Sequence, residues 1–559
     1  MTVGGGVQRN PVSEFAAAAE ALRAECRPRN LRLREAEKAL GENRLVEARE
    51  NLSRFLEKHP ADAVAVHLMA RTALRQARKE EAEALLARCV ALSPGFDPAR
   101  YDYACVLFEL NKPAAALKQL EALLEKDPRN LLYRNLKAVV LAAVGDHAEA
   151  LSCYRGMAQD FPHAAEIWTH YGAALRSVGR REECVAAYRK AIDLSPTAGA
   201  AYWGLAGLKS YRFSEGEISE MQRQLARADL AGDDRMHLHF TLGKALEDGG
   251  QYEKSFENYA RGNAIKRLTV DYDPGSLIKH VRACKSLMTR EFFAAREGFG
   301  SAARGAIFIL GMQRSGSTLV EQILASHSAI EATAELPNIS LLAEHIGEKV
   351  APAHASSYPA VLALLDAAMP EGFGEQYMES TRSHRKLGRP FFTDKMPYNF
   401  LHTGLIHLIL PNAKIIDARR HPLGCGFSNF SMHFKSGPLF GYRLAELGQA
   451  YAGYVELMAH FDHALPGRTH RVFYEDLVRA PEKEIHRLLD YLGLPFEEGC
   501  LEFHRSNRAM DSASSEQVRR PIYDDALDQW RHFEPWLDPL KRALGRVLEA
   551  YPDVPPFAE

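Results

Sequence analysis

A helical repeat array followed by a doubly wound parallel α/β sheet is the fold class this sequence predicts, and three patterns predict it. Prolines recur at Pro60, Pro94, Pro128, Pro162 and Pro196, each 34 residues after the last. Beyond residue 303 short apolar runs alternate with helical patterns. One of those runs, Ile307 to Leu310, enters the glycine-bearing loop GMQRSGST and passes directly into an apolar-periodic helix. A fixed period of this length marks stacked helix pairs, and alternating strands and helices specify a parallel sheet whose ligands bind at the carboxyl ends of its strands.

These patterns divide the 559 residues into an N-terminal segment 1–28, a repeat array 29–266 of about seven units, a helical connector 267–303 and an α/β domain 304–559. Lys and Arg total 70 against 72 Asp and Glu, a net charge of −2, so no global basic field points to nucleic acid. The eight cysteines, Cys26, Cys89, Cys105, Cys153, Cys184, Cys284, Cys425 and Cys500, form no CxxC pair and no zinc-ligand spacing, so buried free thiols and no metal are expected. The first fifteen residues lack a basic start followed by an apolar core, and no apolar run is long enough to span a bilayer. The expected location is therefore the cytoplasm.

Within the repeats, a small residue stands 24 positions before each proline (Ala36, Ala70, Ala104, Ala138, Gly172) and another 12 before it (Ala48, Ala82, Ala116, Ala150, Cys184). Small side chains let the helices of a pair approach closely, and the proline ends each unit because it cannot continue a helix. In the fourth unit the first helix runs around Leu136 to Val144, Gly145-Asp146 breaks it, and the second runs from Ala148 to Met157. The sixth unit loses register in FSEGEISEMQRQL, and a seventh from His239 closes the array near Lys266. With Trp168, Tyr171 and Gly172 in IWTHYGAAL, the array resembles the tetratricopeptide repeat. That resemblance implies a groove for extended peptides or other proteins; the alternative is an array that only rigidifies the chain or joins two copies in a homodimer.

The loop matches the nucleotide motif GxxxxGK[ST] except that Ser317 replaces the lysine that reaches the β- and γ-phosphates. A triphosphate is thus poorly served, while Arg314 and the N–H groups at the helix start suit a single phosphate. Taken alone, such a loop is equally a plain βα turn. Downstream, Glu335 precedes a helix-starting proline, Lys395 ends a strand in FFTDKMPYNF, and Arg419-Arg420 ends the apolar strand from Ile415. On residue type alone these are a helix N-terminal carboxylate, an exposed lysine and a solvated pair.

Together, GMQRSGST, TDKMP, RRHPLGCGFS, FYEDLVRAPEKEIHRLLDYLGLP and SSEQVRRPIYDDALDQW resemble the successive motifs of sulfotransferases that use 3′-phosphoadenosine 5′-phosphosulfate. The likeness is strongest to tetratricopeptide-containing and protein-tyrosine sulfotransferases, over roughly residues 305–545. It implies a phosphosulfate site at Arg314, Ser315, Gly316, Ser317 and Thr318, and a 3′-phosphate site at Arg420 with Ser428 eight residues on. Tyr474 and the closing segment Ser514, Gln517, Val518, Arg519 and Arg520 would complete the nucleotide contacts, with Trp530 behind them. Tyr474 is equally a packing residue.

By the same resemblance Glu335, 21 residues after Arg314, is the base; Glu331, one helical turn away, is a weaker candidate; Arg314, Lys395 and Ser514 act on the sulfuryl group. This chain departs from the family at His421 and Gly424, where acidic residues are expected, and at Gln529, where a lysine is. Ala332 and Thr393 stand where secreted relatives carry a disulfide, which suits a reducing compartment. The implied function is sulfuryl transfer to a hydroxyl, protein tyrosine first, a sugar or lipid hydroxyl second, with the array recruiting the acceptor. A scaffold with an inactive nucleotide fold is the rival from another class, and a phosphotransferase using Asp417 for magnesium is another.

Overall fold

The computed structural model describes residues 15, 18–19, 21–22, 28, 30–208, 210–350, 358–434, 439–505, 520–524 and 526–557, without the side chain of Glu348. They form two compact units, one ending at Leu175 and the other running on from Arg176.

In the first unit the period resolves into helix pairs: Leu31–Gly41 with Leu45–Lys58, Ala63–Arg75 with Lys79–Leu92, Asp97–Glu109 with Pro113–Lys126, and Leu131–Ala143 with His147–Asp160. Asn30, Asp62 and Asn130 cap first helices by accepting from backbone N–H groups, as short polar side chains do at helix starts. The small residues of the period, Ala36, Ala70, Ala104 and Ala138 with Ala48, Ala82, Ala116 and Ala150, are all buried. A left-handed residue sits in every turn at the same phase: Asn43, Ala77, Asn111 and Gly145, followed by Gly179 in the second unit. Only two of these five are glycines, so the turn geometry is imposed by helix packing against the preference of an L side chain.

The second unit continues with helices Arg181–Leu194, Gly199–Ala206, Glu215–Leu225, Gly232–Asp248 and Tyr252–Arg267. Register is lost in the sixth repeat because Ser214 and Glu217 form a reciprocal capping box that starts a new helix there. The connector supplies helices Pro274–Leu287 and Arg290–Ala294.

Five parallel strands follow: β1 Ala306–Gly311, β2 Ile330–Ala332, β3 Phe391–Asp394, β4 Lys414–Arg419 and β5 Thr469–Phe473. They lie in the order β2-β3-β1-β4-β5, so the chain steps to one side of β1 and then to the other, and the crevice opens at the end of β1. Alternation splits β1 between two cores: Ile307 and Ile309 pack with Val320, Ile416, Val472 and Leu488 on one face, Phe308 and Leu310 with Phe392, Ile415 and Phe427 on the other. Ala332 and Thr393, the positions of the relatives' disulfide, are register partners across β2 and β3. Five of the seven described cysteines are buried and all seven are free; Cys105 and Cys153 are half-buried, contrary to the expectation of uniform burial. No helix among the described residues is long and apolar enough to cross a membrane.

The last repeat pair shares its core with the sheet, so the pattern boundary near 266 is not a gap in packing. Phe256 stacks on Phe430 at 5.6 Å, Arg267 pairs with buried Glu446 at 3.1 Å, and Asn263 donates to the carbonyls of Tyr259 (2.8 Å) and Phe430 (2.7 Å). Phe430 ends the helix Pro422–Phe430, whose last carbonyls have no intrahelical donor. Replacing Asn263 with Leu would strand that buried acceptor, and we predict a loss of about 1–3 kcal/mol, read as a lower urea midpoint at unchanged m-value.

Candidate functional site

The strands that border the crevice lead into the loop at Gly311 after β1 and deliver Lys395 after β3, Arg420 after β4 and Tyr474 after β5. The loop after β1 is forced into unusual backbone geometry. Gly311 has φ +136° with the Ala418 carbonyl where a Cβ would stand, and Gly316 has φ +94° with the Tyr474 ring 2.7 Å from its absent Cβ. Between them Arg314 adopts φ 66°, a left-handed conformation that a non-glycine residue holds only when its surroundings dictate it.

Those surroundings are the helix Pro422–Phe430 and the arginine before it. Cys425 Sγ (3.1 Å) and Asn429 Nδ2 (2.7 Å) donate to the Gln313 carbonyl, and Arg314 Nε donates to Ser428 Oγ at 3.0 Å. Arg420 Nη1 donates to the Arg314 carbonyl at 3.3 Å, Nη2 donates to the Ala526 carbonyl, and the guanidinium lies 4.8 Å over the Tyr474 ring. Burial, then the neighbouring Arg420 charge, bring the Arg314 guanidinium down to about 10, so it stays charged at neutral pH. Burial raises the Tyr474 phenol, with Arg420 and Arg314 opposing it.

Two crowded cations are suited to an anion, and three further observations fit a phosphate-type group here. Ser315 Oγ and Arg420 Nε are buried polar atoms without a bonding partner among the described residues. The helix Ser317–Ala325 begins at Gly316 without a side-chain cap, leaving backbone N–H groups and a positive helix end. Ser317 and Thr318, at its first turn, are buried.

Arg419 and Arg420 are not a solvated pair. Arg419 is 1% exposed and donates at 2.9 Å to Asp417, itself 0% exposed; Arg471 (2.9 Å) and the Tyr454 hydroxyl also bond Asp417. Burial opposes ionisation of Asp417, but Arg419 and Arg471 hold its carboxyl below the usual range. A carboxylate so occupied has no geometry to spare for magnesium.

A second pair lies at the ends of β2 and β3. Buried Lys395 donates through Nζ to Glu335 Oε1, while the Glu335 side chain keeps 49% exposure. Glu331, expected a helical turn away, is on β2 instead, buried, and accepts the backbone N–H groups of Lys386 and Leu387; its role is to hold that loop. Next to Lys395, burial pushes the Asp394 carboxyl up to about 8, and it accepts from the Tyr377 hydroxyl at 2.8 Å. Asp394 thus carries a proton at neutral pH and leaves the lysine charge to Glu335.

Tyr398 and Gln313 were not singled out by pattern. Tyr398 is three residues past Lys395; burial raises its phenol, and a hydrogen bond from the Gln313 side chain opposes the rise.

Of the departures, the His421 ring stacks on Trp530 at 4.9 Å and the His421 backbone N–H donates to Glu475 Oε1 at 2.9 Å, so Glu475 supplies a carboxylate at this turn. A Cβ on Gly424 would stand 3.3 Å from both Arg420 Nε and Trp530 Cδ1, so a larger side chain there would crowd Arg420. Gln529 donates to Glu247 on the repeat helix Gly232–Asp248. Arg520 is exposed, and Ser514, Gln517, Val518 and Arg519 lie outside the described residues. Groups of three or more metal-ligating side chains are absent among the described residues.

Between about pH 4, where an unfolded Asp releases its proton, and about 8, the folded Asp394 retains it. The folded state then binds the extra proton, so this contribution to stability falls as pH rises. Asp394→Asn should remove the trend, by up to about 1.4 kcal/mol per pH unit, and urea midpoints of both proteins across that window test it.

Comparison with known proteins agrees with this layout. Residues 306–498 match the sulfotransferase family model, and residues 81–140 and 165–197 match tetratricopeptide repeat models. An uncharacterized protein of Aquifex aeolicus is 27% identical over 460 residues, 80% of this chain; the chain spans 59% of that protein's length. A Caenorhabditis briggsae protein named "Putative protein-tyrosine sulfotransferase" is 26% identical over 40% of this chain and 80% of its own. Among solved structures, the sulfotransferase domain of the Synechococcus PCC 7002 olefin synthase is 22% identical over 42% of this chain and 89% of its own, with a TM-score of 0.31.

Proposed function

We propose that this chain, a tetratricopeptide-repeat-containing member of the sulfotransferase family, transfers a sulfuryl group from 3′-phosphoadenosine 5′-phosphosulfate to a hydroxyl, with protein tyrosine as the acceptor class. The observation that carries the reading is the pair of arginines, half-buried Arg314 and buried Arg420, meeting at one strained loop. The donor supplies the sulfuryl group and departs as 3′,5′-adenosine bisphosphate.

Arg314 and the N–H groups of Gly316, Ser317 and Thr318 would hold the 5′-phosphosulfate, with Ser315 Oγ turned to it. Arg420 and Ser428, with Tyr474 against Arg420, would hold the 3′-phosphate, and Arg519, Arg520, Gln517, Val518 and Ser514 would close over the nucleotide. Charge-assisted contacts of this kind make arginine suited to phosphate. Glu335 takes the proton from the acceptor hydroxyl as its oxygen bonds to sulfur and the sulfur–oxygen bond to the leaving phosphate breaks. Lys395 balances the charge gathering on the sulfuryl and bridging oxygens. Its bond to Glu335 orients the carboxylate until an anion shares the ammonium.

A phenol, with an ordinary pKa of about 10, releases its proton to a carboxylate more readily than an alcohol does. The repeat array, whose class binds peptides and proteins, would bring the acceptor in. A sugar or lipid hydroxyl is the other outcome of an acceptor screen, and the cytoplasm is the compartment in which seven free thiols are at home.

Thermal unfolding tests the donor site. 3′,5′-Adenosine bisphosphate at a hundred times its dissociation constant should add about 2.7 kcal/mol to stability and ATP should add none. Arg420→Ala should lose the shift. Glu335→Gln should keep it while transfer of labelled sulfate to a tyrosine peptide falls by about 10²–10⁴-fold; near-normal turnover in that variant would rule out Glu335 as the base.

A further inference from the structure

Phe15, Ala18, Ala19 and Leu22 fall at the i, i+3, i+4 and i+7 spacing of one helix face. These four are helical and half-buried, whereas Ala21 is helical and exposed. They belong to the unit that ends at Leu175, and what they cover is the repeat array itself. The Phe15 ring lies 5.6 Å from the His170 ring, tilted by 55°, and Phe15 and Ala18 pack against the cluster containing Leu131, Tyr154 and Ile167. All four pack against the neighbouring cluster of Ala104, Leu107, Leu132 and Tyr133, which Tyr101 and Leu136 extend.

Most of these partners lie on the first helices of three successive repeats, Asp97–Glu109, Leu131–Ala143 and Ala165–Ser177. Successive first helices line one surface of such an array. The covered strip is apolar along its length with a polar anchor beneath Phe15, where His170 Nδ1 meets Asn135 Oδ1 at 3.2 Å and the Tyr154 hydroxyl donates to the same oxygen at 3.4 Å. An amphipathic helix laid in an apolar groove is recognised through anchors at this spacing. Alanines at the two middle positions let its backbone approach while Phe and Leu fill the ends.

We infer that the first helices of the third, fourth and fifth repeats form a recognition groove for an amphipathic helix presenting Phe, Ala, Ala and Leu at i, i+3, i+4 and i+7, and that the chain's own Phe15, Ala18, Ala19 and Leu22 occupy it. An incoming partner presents the same pattern and displaces the tethered segment. Tethering gives that segment a high effective concentration, so a partner in solution sees only the fraction of grooves that are open. The inference concerns the repeat array alone and stands apart from the chemistry assigned to the sheet.

The test is a fluorescein-labelled synthetic peptide of residues 11–24, titrated by anisotropy into the full-length chain and into its Phe15→Glu/Leu22→Glu variant. Circular dichroism and gel filtration verify folding, and Ala19→Glu serves as a second variant should the double substitution fail to fold. The peptide should bind the variant roughly tenfold or more tightly than the wild type, and a peptide carrying Phe15→Glu should bind neither. Equal affinity for wild type and folded variant, or no binding to the variant, overturns the groove. A wild-type dimer that the variant loses would show the segment exchanged between copies and overturn its occupancy in cis.

Discussion

The bond between Asp417 and Arg419 is the interaction on which the charge layout of the site depends. β4 carries three charged residues in four positions around its carboxyl end, Asp417, Arg419 and Arg420, and alternation along the strand puts the first two on one side. There Asp417 neutralises Arg419 and shares itself with Arg471 and Tyr454 inside the protein. With that charge absorbed, Arg420 is the arginine left to face the loop. Removing one partner from a buried network of this kind generally costs about 3–5 kcal/mol, so the same bond that sorts the arginines also commits the strand to its register.

The loop after β1 is organised by what β4 delivers. Arg420 donates to the Arg314 carbonyl and helix Pro422–Phe430 grips the Gln313 carbonyl, so the left-handed Arg314 is held from two directions. Such strain persists where the surroundings over-determine it. The result is two guanidiniums closer together than two cations are at ease, with buried polar atoms beside them. That arrangement suits an anion, and preorganisation is how a protein stabilises charge without rearranging at the moment of reaction.

The repeats reach this site physically. Asn263 on the last repeat helix bonds the end of the helix that bears Ser428, and Gln529, in the place of an expected lysine, bonds Glu247 on the helix before it. The first unit carries its own apolar surface with a helical segment of the chain laid on it, so the two ends of the repeat region serve different purposes.

The sequence by itself determined the repeat period, the parallel sheet, the glycine-bearing loop after β1 and the order of the strand-end residues, because each is a local pattern whose spacing reflects backbone geometry. Ala332 opposite Thr393 was implied by the family resemblance, whereas the bond between Lys395 and Glu335 came from the tertiary structure. Only the tertiary structure decided which charges are spent inside: Arg419, Asp417 and Glu331 are committed to buried bonds, and nothing in residue type separates them from Arg420 and Glu335. It likewise decided the left-handed turns at Asn43, Ala77 and Asn111, where packing overrides residue preference, and the bond between Gln313 and the Tyr398 phenol. The segment at Phe15 carries a helical face too short to announce a partner; the surface that covers it lies more than eighty residues further along the chain.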